Sequence, residues 1–284
     1  MPRLDLLLTA LAPAIWGSSY IITTSLLPGQ SPLLVALLRA LPAGLLLLLL
    51  VRQLPPLNWI PKLLILGALN FSLFWTLLFV SAYRLPGGVA ATLGAAQPLL
   101  VVFFSAYALK TAIRPAALIA AGLSILGVAL LVLTPAATLD PWGVFAGLGG
   151  AASMAAGVVL TRKWQPPVPP LFFTAWQLTA GGLLLIPFAL IGLDGVPSFT
   201  GANLLGLAYM SLIGGAFTYI LWFRGLSRID PTKVSLLGVL SPLSAVLLGW
   251  GLIGESLSPL QITGAALALF SLWLGQSNLR LARF

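Results

Sequence analysis

The chain has 284 residues, of which 60% are hydrophobic and 7% are charged. An average soluble domain is about 45–50% apolar and about 25% charged, so this composition excludes a soluble fold and indicates a membrane protein. The absence of cysteine and histidine excludes disulfides and the commonest transition-metal ligand. The net charge of +9 comes from Lys and Arg residues that stand singly or in pairs. We therefore expect the lipid bilayer as partner, with no metal, no cofactor and no nucleic acid.

Apolar stretches of about 20 residues recur along the chain, and each is long enough to cross a hydrocarbon core about 30 Å thick as a helix. Continuously apolar runs such as Leu45 to Val51 lack the alternation that strands of an outer-membrane barrel show. The sequence thus predicts an all-α membrane protein with ten transmembrane helices. Turn residues and charges place these helices near residues 4–27, 32–50, 59–83, 87–109, 115–134, 141–162, 170–192, 202–225, 232–253 and 259–279.

The basic residues indicate how these helices are oriented. With the amino terminus placed in the cytoplasm, twelve of the fourteen Lys and Arg residues fall in inside segments. Of the other two, Arg84 falls outside and Arg39 falls within the second helix. The acidic residues Asp140, Asp194 and Glu255 also fall outside. This bias predicts a multi-pass protein of the bacterial inner membrane with both termini in the cytoplasm.

A comparison of the chain with itself indicates an internal duplication. The segment at Ser31 aligns without gaps with the segment at Pro169, 138 residues later, and residues 79–123 align with residues 223–267, 144 residues later. Five helices per half would insert the second half upside down, as in transporters whose substrate site lies between inverted repeats. We therefore expect two related five-helix halves, at residues 1–137 and 138–284.

Several short features of the chain are typical of one transporter family: Trp16-Gly17 in helix one, Arg39 in helix two, Pro98 in helix four, Pro242 in helix nine and Gly254-Glu255 at the end of helix nine. With the span count and the duplication, they make the chain resemble the EamA-type branch of the drug/metabolite transporter superfamily. Within that branch it is similar to the bacterial aromatic amino acid exporters. The resemblance implies a small-metabolite transporter that works in the direction of export. One departure is Lys110-Thr111, which replaces a second Gly-Glu pair and argues against any role that needs two symmetric glutamates.

Polar and aromatic side chains near the middle of the spans are the candidates for a substrate site, because small-ligand pockets are apolar with a few convergent polar groups. The alternative is that they pack helix against helix or lie in an interfacial belt. The candidates are Trp16, Ser19, Tyr20, Asn70, Phe74, Trp75, Gln97, Tyr209, Phe217, Tyr219 and Ser241. Pro98 and Pro242 each remove a helical hydrogen bond, so they are candidates for hinges or for purely architectural kinks.

Arg39 is the one ionisable residue that the sequence places deep in a span, about 12 Å below the outer surface. Two interpretations stay open: a structural or snorkelling arginine, or a charge that contacts a substrate carboxylate or gates the path. Gln177 occupies the corresponding position of the second half, so the site tolerates the loss of this charge there. Glu255, at the end of helix nine, is the other candidate for a structural or gating charge.

The remaining ionisable residues all lie at predicted helix ends, so we expect gradient-driven transport without a proton relay inside the protein. A cationic solute would find no acidic partner, which favours neutral or zwitterionic amphipathic metabolites, with aromatic and other neutral amino acids first. A carrier of drugs, sugar derivatives or lipid-like metabolites stays an alternative within the same superfamily. An integral-membrane enzyme is disfavoured by the lack of histidine, cysteine and paired acids, and a scaffold by the short connecting segments.

Overall fold

The computed structural model describes residues 2–85, 87–132, 140–191, 197–254 and 257–277. Every regular element in these ranges is a helix. In chain order the helices are α1 Pro2–Leu26, α2 Pro32–Val51, α3 residues 57–84, α4 residues 87–109, α5 Pro115–Val132, α6 Pro141–Lys163, α7 Pro170–Ile191, α8 Gly201–Arg228, α9 residues 231–253 and α10 Pro259–Gln276.

Nine of these helices, α1 to α9, are long and apolar enough to cross a membrane within the described part of the chain. The predicted all-helical membrane fold is therefore confirmed, and the chain is a multi-pass membrane protein. The tenth helix forms where it is predicted but is not among the nine, so the number ten stays a prediction. The predicted boundary at residues 137–138, Asp194 and Glu255 lie outside the described residues.

Local capping chemistry sets where several helices begin. The side chains of Thr200 and Ser258 accept hydrogen bonds from the backbone N–H groups of Asn203 and Gln261, and those two side chains accept from the capping residues in return. The Asp140 carboxylate accepts a hydrogen bond of 2.8 Å from the N–H of Trp142 at the start of α6. These starts follow from the sequence alone because donor and acceptor are close along the chain.

Two helices contain a π-helical turn near their middle. The turn in α3 covers Ala68–Ser72, and the turn in α8 covers Leu212–Phe217, which begins 144 residues later in the chain. This spacing is the offset at which the two halves of the sequence align. A π turn changes the hydrogen-bond register of a helix and often occurs at functional sites. Neither turn is predicted by the sequence pattern.

The helices that carry Pro98 and Pro242 are irregular where kinks are predicted. α4 consists of Gly87–Gly94 and Gln97–Leu109, so it is interrupted just before Pro98. α9 contains a 3-10 turn at Leu237–Val239, just before Pro242. Both irregularities follow from the missing N–H and the ring clash of proline. Whether the prolines act as hinges stays a prediction.

The helices pack mainly across the two predicted halves of the chain. α2 lies along α7, and α5 lies along α10. α1 packs against α8 and α9, while α6 packs against α3 and α4. Exchanging the two halves leaves the pairs α2–α7 and α5–α10 unchanged and turns the contacts of α1 with α8 and α9 into those of α6 with α3 and α4. The middle of the protein is therefore built from helices that are distant in sequence.

Small residues allow two of these pairs to approach closely. A Cβ atom on Gly44 of α2 would lie 2.5 Å from the backbone N of Thr179 on α7, and one on Gly182 of α7 would lie 2.7 Å from the Cα of Leu41 on α2. In the other pair, a Cβ on Gly127 of α5 would lie 2.7 Å from the backbone N of Ala268 on α10. Close backbone contact of this kind is a common basis of helix association in membranes.

Ion pairs join helices of different halves at the helix ends. Arg84 at the end of α3 pairs with Asp140 at the start of α6, at 3.1 Å. Asp5 near the start of α1 pairs with Arg224 at 2.7 Å and with Arg228 at 3.2 Å, both in the last turns of α8. Partial burial raises the pKa of Asp140, but hydrogen bonds from Arg84 and from the N–H of Trp142 outweigh it, so the pKa lies below its usual value.

We expect Gly127→Ala to lower the midpoint of thermal unfolding of the detergent-purified protein. The added methyl group meets backbone atoms of α10, which cannot move aside, and overpacking of this kind costs about 1–3 kcal/mol. Gly122→Ala, on the same helix, is the control, because nothing lies within 4 Å of the added atom. Equal midpoints for the two variants would contradict the close contact between α5 and α10.

Candidate substrate site

Arg39 of α2 reaches the π turn of α8. Its Nε donates a hydrogen bond of 3.2 Å to the backbone carbonyl oxygen of Gly214, and its Nη2 donates one of 2.7 Å to the same atom. A charge in the middle of a membrane costs about 3 kcal/mol on insertion scales, so it needs polar partners. The Arg39 side chain is only partly buried. The π turn thus provides a backbone acceptor for a cation that the sequence places deep in a span.

Two more side chains donate to the Gly214 oxygen. The Trp16 Nε1 of α1 lies 3.2 Å from it and 2.8 Å from the Thr218 Oγ1, and the Thr218 Oγ1 donates to the Gly214 oxygen at 2.8 Å. Donors from α1, α2 and α8 therefore converge on one carbonyl group. Because a carbonyl oxygen has two lone pairs, it cannot satisfy all of these donors equally well.

An aromatic cluster lies directly beside this carbonyl group. Its rings come from α1, α3 and α8, and their centroids are between 4.8 and 6.4 Å apart, which is the attractive range for aromatic pairs. The members are Trp16, Phe71, Trp75, Tyr219, Trp222 and Phe223. The Arg39 guanidinium carbon lies 5.3 Å from the centre of the Trp75 ring, in cation–π geometry.

The rings of the cluster are more buried than the polar side chains around them. Five of the rings, including those of Trp75 and Tyr219, are buried. Trp16 and Arg39 are only partly buried, as are Ser18 and Tyr209, whose hydroxyl groups share a hydrogen bond of 2.6 Å between α1 and α8. The arrangement is an apolar aromatic surface with one cation and a few hydroxyl and indole donors at its edge. Such a surface can hold an amphipathic solute with an aromatic or aliphatic part.

Asn70 lies in a separate cluster. Its Nδ2 donates to the Gln177 Oε1 at 2.9 Å and to the Thr161 Oγ1 at 3.1 Å, and the two amide side chains have no solvent exposure. Gly157 of α6 permits this packing, because a Cβ atom there would collide with the Asn70 amide. The contact joins α3, α6 and α7. In the alignment of the two halves, Gln177 corresponds to Arg39 and Asn70 corresponds to Gly214, so this contact corresponds to the one between Arg39 and Gly214.

The other predicted residues lie apart from the ring contacts. Phe74 is partly buried and packs against the main core, whereas Phe217 is 43% exposed. The Ser19 hydroxyl and the Gln97 Nε2 are buried and have no hydrogen-bond partner among the described residues. A Cβ atom on Gly17 of α1 would lie 2.5 Å from the Ser241 carbonyl oxygen. Pro98 is buried, and Pro242 is partly buried. The side chain of Tyr20 and the whole of Glu255 lie outside what the structure describes.

Several members of the site are not among the residues predicted from the sequence. Phe71, Trp222 and Phe223 lie one helical turn from Trp75 or Tyr219, so helical spacing could have joined them to the predicted aromatics. Gly214 contributes a backbone atom, which no side-chain pattern reveals. The repeat offers a weak signal, since Gly214 follows Asn70 by the same 144 residues that separate the two π turns. Among the described residues, no group of His, Cys, Asp or Glu side chains could hold a metal ion.

The fold and this site define a multi-pass membrane protein with a cluster of polar and aromatic side chains between its helices. The EamA-like transporter family matches the chain over residues 4–133 and again over residues 141–275. The chain belongs to that family, and the resemblance predicted from the sequence is confirmed.

Two relatives and one solved structure are similar to most of the chain. Protein PecM of Dickeya dadantii is 42% identical over 93% of this chain and 90% of its own length. A probable amino-acid metabolite efflux pump of Salmonella typhimurium is 24% identical over 100% of this chain and 98% of its own length. A protein of known crystal structure superposes with a TM-score of 0.80 over 96% of this chain and 97% of its own, at 19% identity, which shows a shared fold.

We expect Asn70→Ala to lower the thermal unfolding midpoint of the purified protein. The change removes the two buried hydrogen bonds that Asn70 donates to Gln177 and Thr161, and each bond of this kind contributes about 0.5–1.5 kcal/mol. Asn58→Ala is the control on the same helix, because Asn58 is exposed. An Asn70→Ala midpoint equal to that of Asn58→Ala would show that the buried cluster does not stabilise the fold.

Proposed function

We propose that this EamA-family transporter exports small neutral or zwitterionic amphipathic metabolites, with aromatic and other neutral amino acids as the first candidates. One observation carries the proposal: the aromatic surface of Trp75 and Tyr219 lies beside the cation Arg39, between the helices. An aromatic surface stabilises an aromatic or aliphatic side chain, and a nearby cation suits a solute that carries a carboxylate.

The charges of the described residues support this choice of substrate. The three described carboxylates, those of Asp5, Asp140 and Asp230, all lie at helix ends, and no other Asp or Glu falls within the described ranges. A cationic drug at mid-depth would therefore lose its hydration without gaining an acidic partner. A neutral or zwitterionic solute avoids that cost.

The relatives support the direction and the substrate class. The Salmonella protein is named as a probable amino-acid metabolite efflux pump, and its similarity extends over the whole of this chain. We extend both terms to this chain as a proposal: amino-acid metabolites as the substrates and the outside as the destination.

Alternating access between two inverted five-helix halves is the transport mechanism that we propose. It is supported by the two successive matches to one family, by the paired π turns and by helix pairings that exchange when the halves are exchanged. Inverted repeats give a protein two related conformations that open to opposite sides. We place this chain in the inner membrane with both termini in the cytoplasm, in keeping with the bias of its basic residues.

We expect Trp75→Ala to reduce amino acid counterflow into proteoliposomes about tenfold, the equivalent of ~1.4 kcal/mol, because the change removes the ring that faces Arg39. Trp142→Ala is the matched control, since this indole is 71% exposed and lies outside the cluster. Size-exclusion profiles before reconstitution would verify that both variants fold. Wild-type counterflow by a folded Trp75→Ala variant would remove the aromatic surface from the transport path.

Labelling of single cysteines tests the inverted arrangement, because the chain has no cysteine of its own. Leu54 lies in the connection between α2 and α3, and Ser198 lies in the corresponding connection between α7 and α8; both residues are exposed. In intact cells, we expect a membrane-impermeant maleimide to label Ser198→Cys and to label Leu54→Cys only after permeabilisation. Labelling of both from the same side would contradict the inversion.

A further inference from the structure

Arg39 is a cation without an anionic partner among the described residues. A guanidinium group has five N–H donors, and only those on Nε and Nη2 reach an acceptor, the neutral carbonyl of Gly214. The described carboxylates are engaged elsewhere: Asp5 with Arg224 and Arg228, Asp140 with Arg84, and Asp230 with the N–H of Thr232. The charge is therefore solvated by one backbone dipole and one aromatic ring, with donor capacity left over.

The donors around Gly214 have the arrangement that a carboxylate prefers. The guanidinium fork of Arg39 and the indole N–H of Trp16 point at one oxygen atom, which must also accept a hydrogen bond from Thr218. Hydrogen bonds between ionised groups are roughly twice as strong as those between neutral groups, and a guanidinium binds a carboxylate through two parallel bonds. An anionic oxygen would therefore compete well with the carbonyl for these donors.

We propose that Arg39 and Trp16 form a carboxylate subsite, in which the carboxylate of the substrate replaces the Gly214 carbonyl as their acceptor. This inference rests on the proposed function and names the group on the substrate that is recognised. Arg39 and Trp16 each keep part of their surface exposed, whereas the rings of Trp75 and Tyr219 beneath them are buried and apolar. The substrate is thus a monocarboxylate whose aromatic or aliphatic part lies against these rings.

The same residues provide no equivalent subsite for an ammonium group. None of the described carboxylates lies near the ring cluster, since all three are in the first turns or caps of helices. Among the described residues, an amino group on the substrate would meet neutral acceptors such as the hydroxyl pair of Ser18 and Tyr209 or the released Gly214 carbonyl. Recognition should therefore depend on the carboxylate and much less on the amine.

The described residues of the other half do not form this subsite at the corresponding position. At the position corresponding to Arg39 stands Gln177, whose amide is fully buried and bonded to Asn70 and Thr161. A neutral amide in a closed contact leaves neither charge nor access for an anion. Within the part of the chain that the structure describes, the subsite is therefore on the side of Arg39, and Gln is the residue that the fold itself accepts at the corresponding position.

Competition during counterflow tests the proposal with the full chain in proteoliposomes. Radiolabelled phenylalanine is the tracer, and the competitors are unlabelled phenylalanine, hydrocinnamate, which lacks the amine, and phenylalaninamide, which lacks the carboxylate. We expect hydrocinnamate to inhibit within about threefold of phenylalanine and phenylalaninamide to be at least about tenfold weaker, because only the amide loses the charge-assisted bonds to Arg39.

Two variants locate the preference at Arg39. Arg39→Gln should bring the ratio of amide to acid inhibition constants close to one, and Arg39→Lys should retain part of the preference, because it keeps the charge without the fork. Arg52→Gln is the control, since Arg52 is exposed at the end of the same helix. A purely structural role of Arg39 would change the rate of transport without changing this ratio.

The outcomes separate this inference from the proposed function. Equal inhibition of the wild type by the amide and the acid would overturn the carboxylate subsite and leave amino acid transport intact. A preference that persists in a folded Arg39→Gln variant would overturn the assignment to Arg39. Failure of the wild type to exchange phenylalanine or any other neutral amino acid would overturn both. The wild-type comparison alone decides for or against the subsite if the Arg39→Gln variant does not fold.

Discussion

The solvation of one guanidinium group in the middle of a membrane constrains much of this structure. Arg39 is partly buried between the helices, and its described hydrogen bonds both go to a backbone carbonyl of the protein. The π turn of α8 supplies a carbonyl oxygen at Gly214, and Trp75 of α3 supplies an aromatic face. Three helices are thereby held around one side chain. The aromatic cluster forms beside Arg39 because these helices meet at that side chain.

At the corresponding position of the other half, a neutral amide stands in place of the charge. Gln177 lies where Arg39 would be, and it meets the side chain of Asn70 in the π turn of α3. No charge needs solvation, so the contact closes completely and the amides are fully buried. The contact between Gln177 and Asn70 is thus neutral and fully buried, whereas the corresponding contact between Arg39 and Gly214 is charged and partly exposed. This difference explains why the ligand is expected on the side of Arg39.

Polar contacts join helices of different halves at several levels. α1 is tied to α8 through Asp5, Trp16 and Ser18, at three levels along the pair. α3 is tied to α6 by the ion pair between Arg84 and Asp140, by the Ser153 hydroxyl, which donates to the Leu69 carbonyl, and by the contact between Asn70 and Thr161. Arg162 of α6 also donates to the Leu226 carbonyl of α8, so the polar contacts connect helices from both sequence halves throughout the protein.

The sequence by itself determined the class of the protein, the places of its helices, the kink positions at Pro98 and Pro242 and the family, because these depend on composition, on local backbone chemistry and on alignment. Only the tertiary structure decided which mid-span residues meet. Helices that are apolar all round carry no amphipathic period, so the sequence does not reveal which face turns inward. Asn70, Phe217 and Tyr219 are therefore equivalent candidates in the sequence, yet one lies in a closed amide contact, one is exposed and one lies in the aromatic cluster. The sequence does not reveal the acceptor of Arg39 either, since the Gly214 carbonyl becomes available through a π turn that packing stabilises.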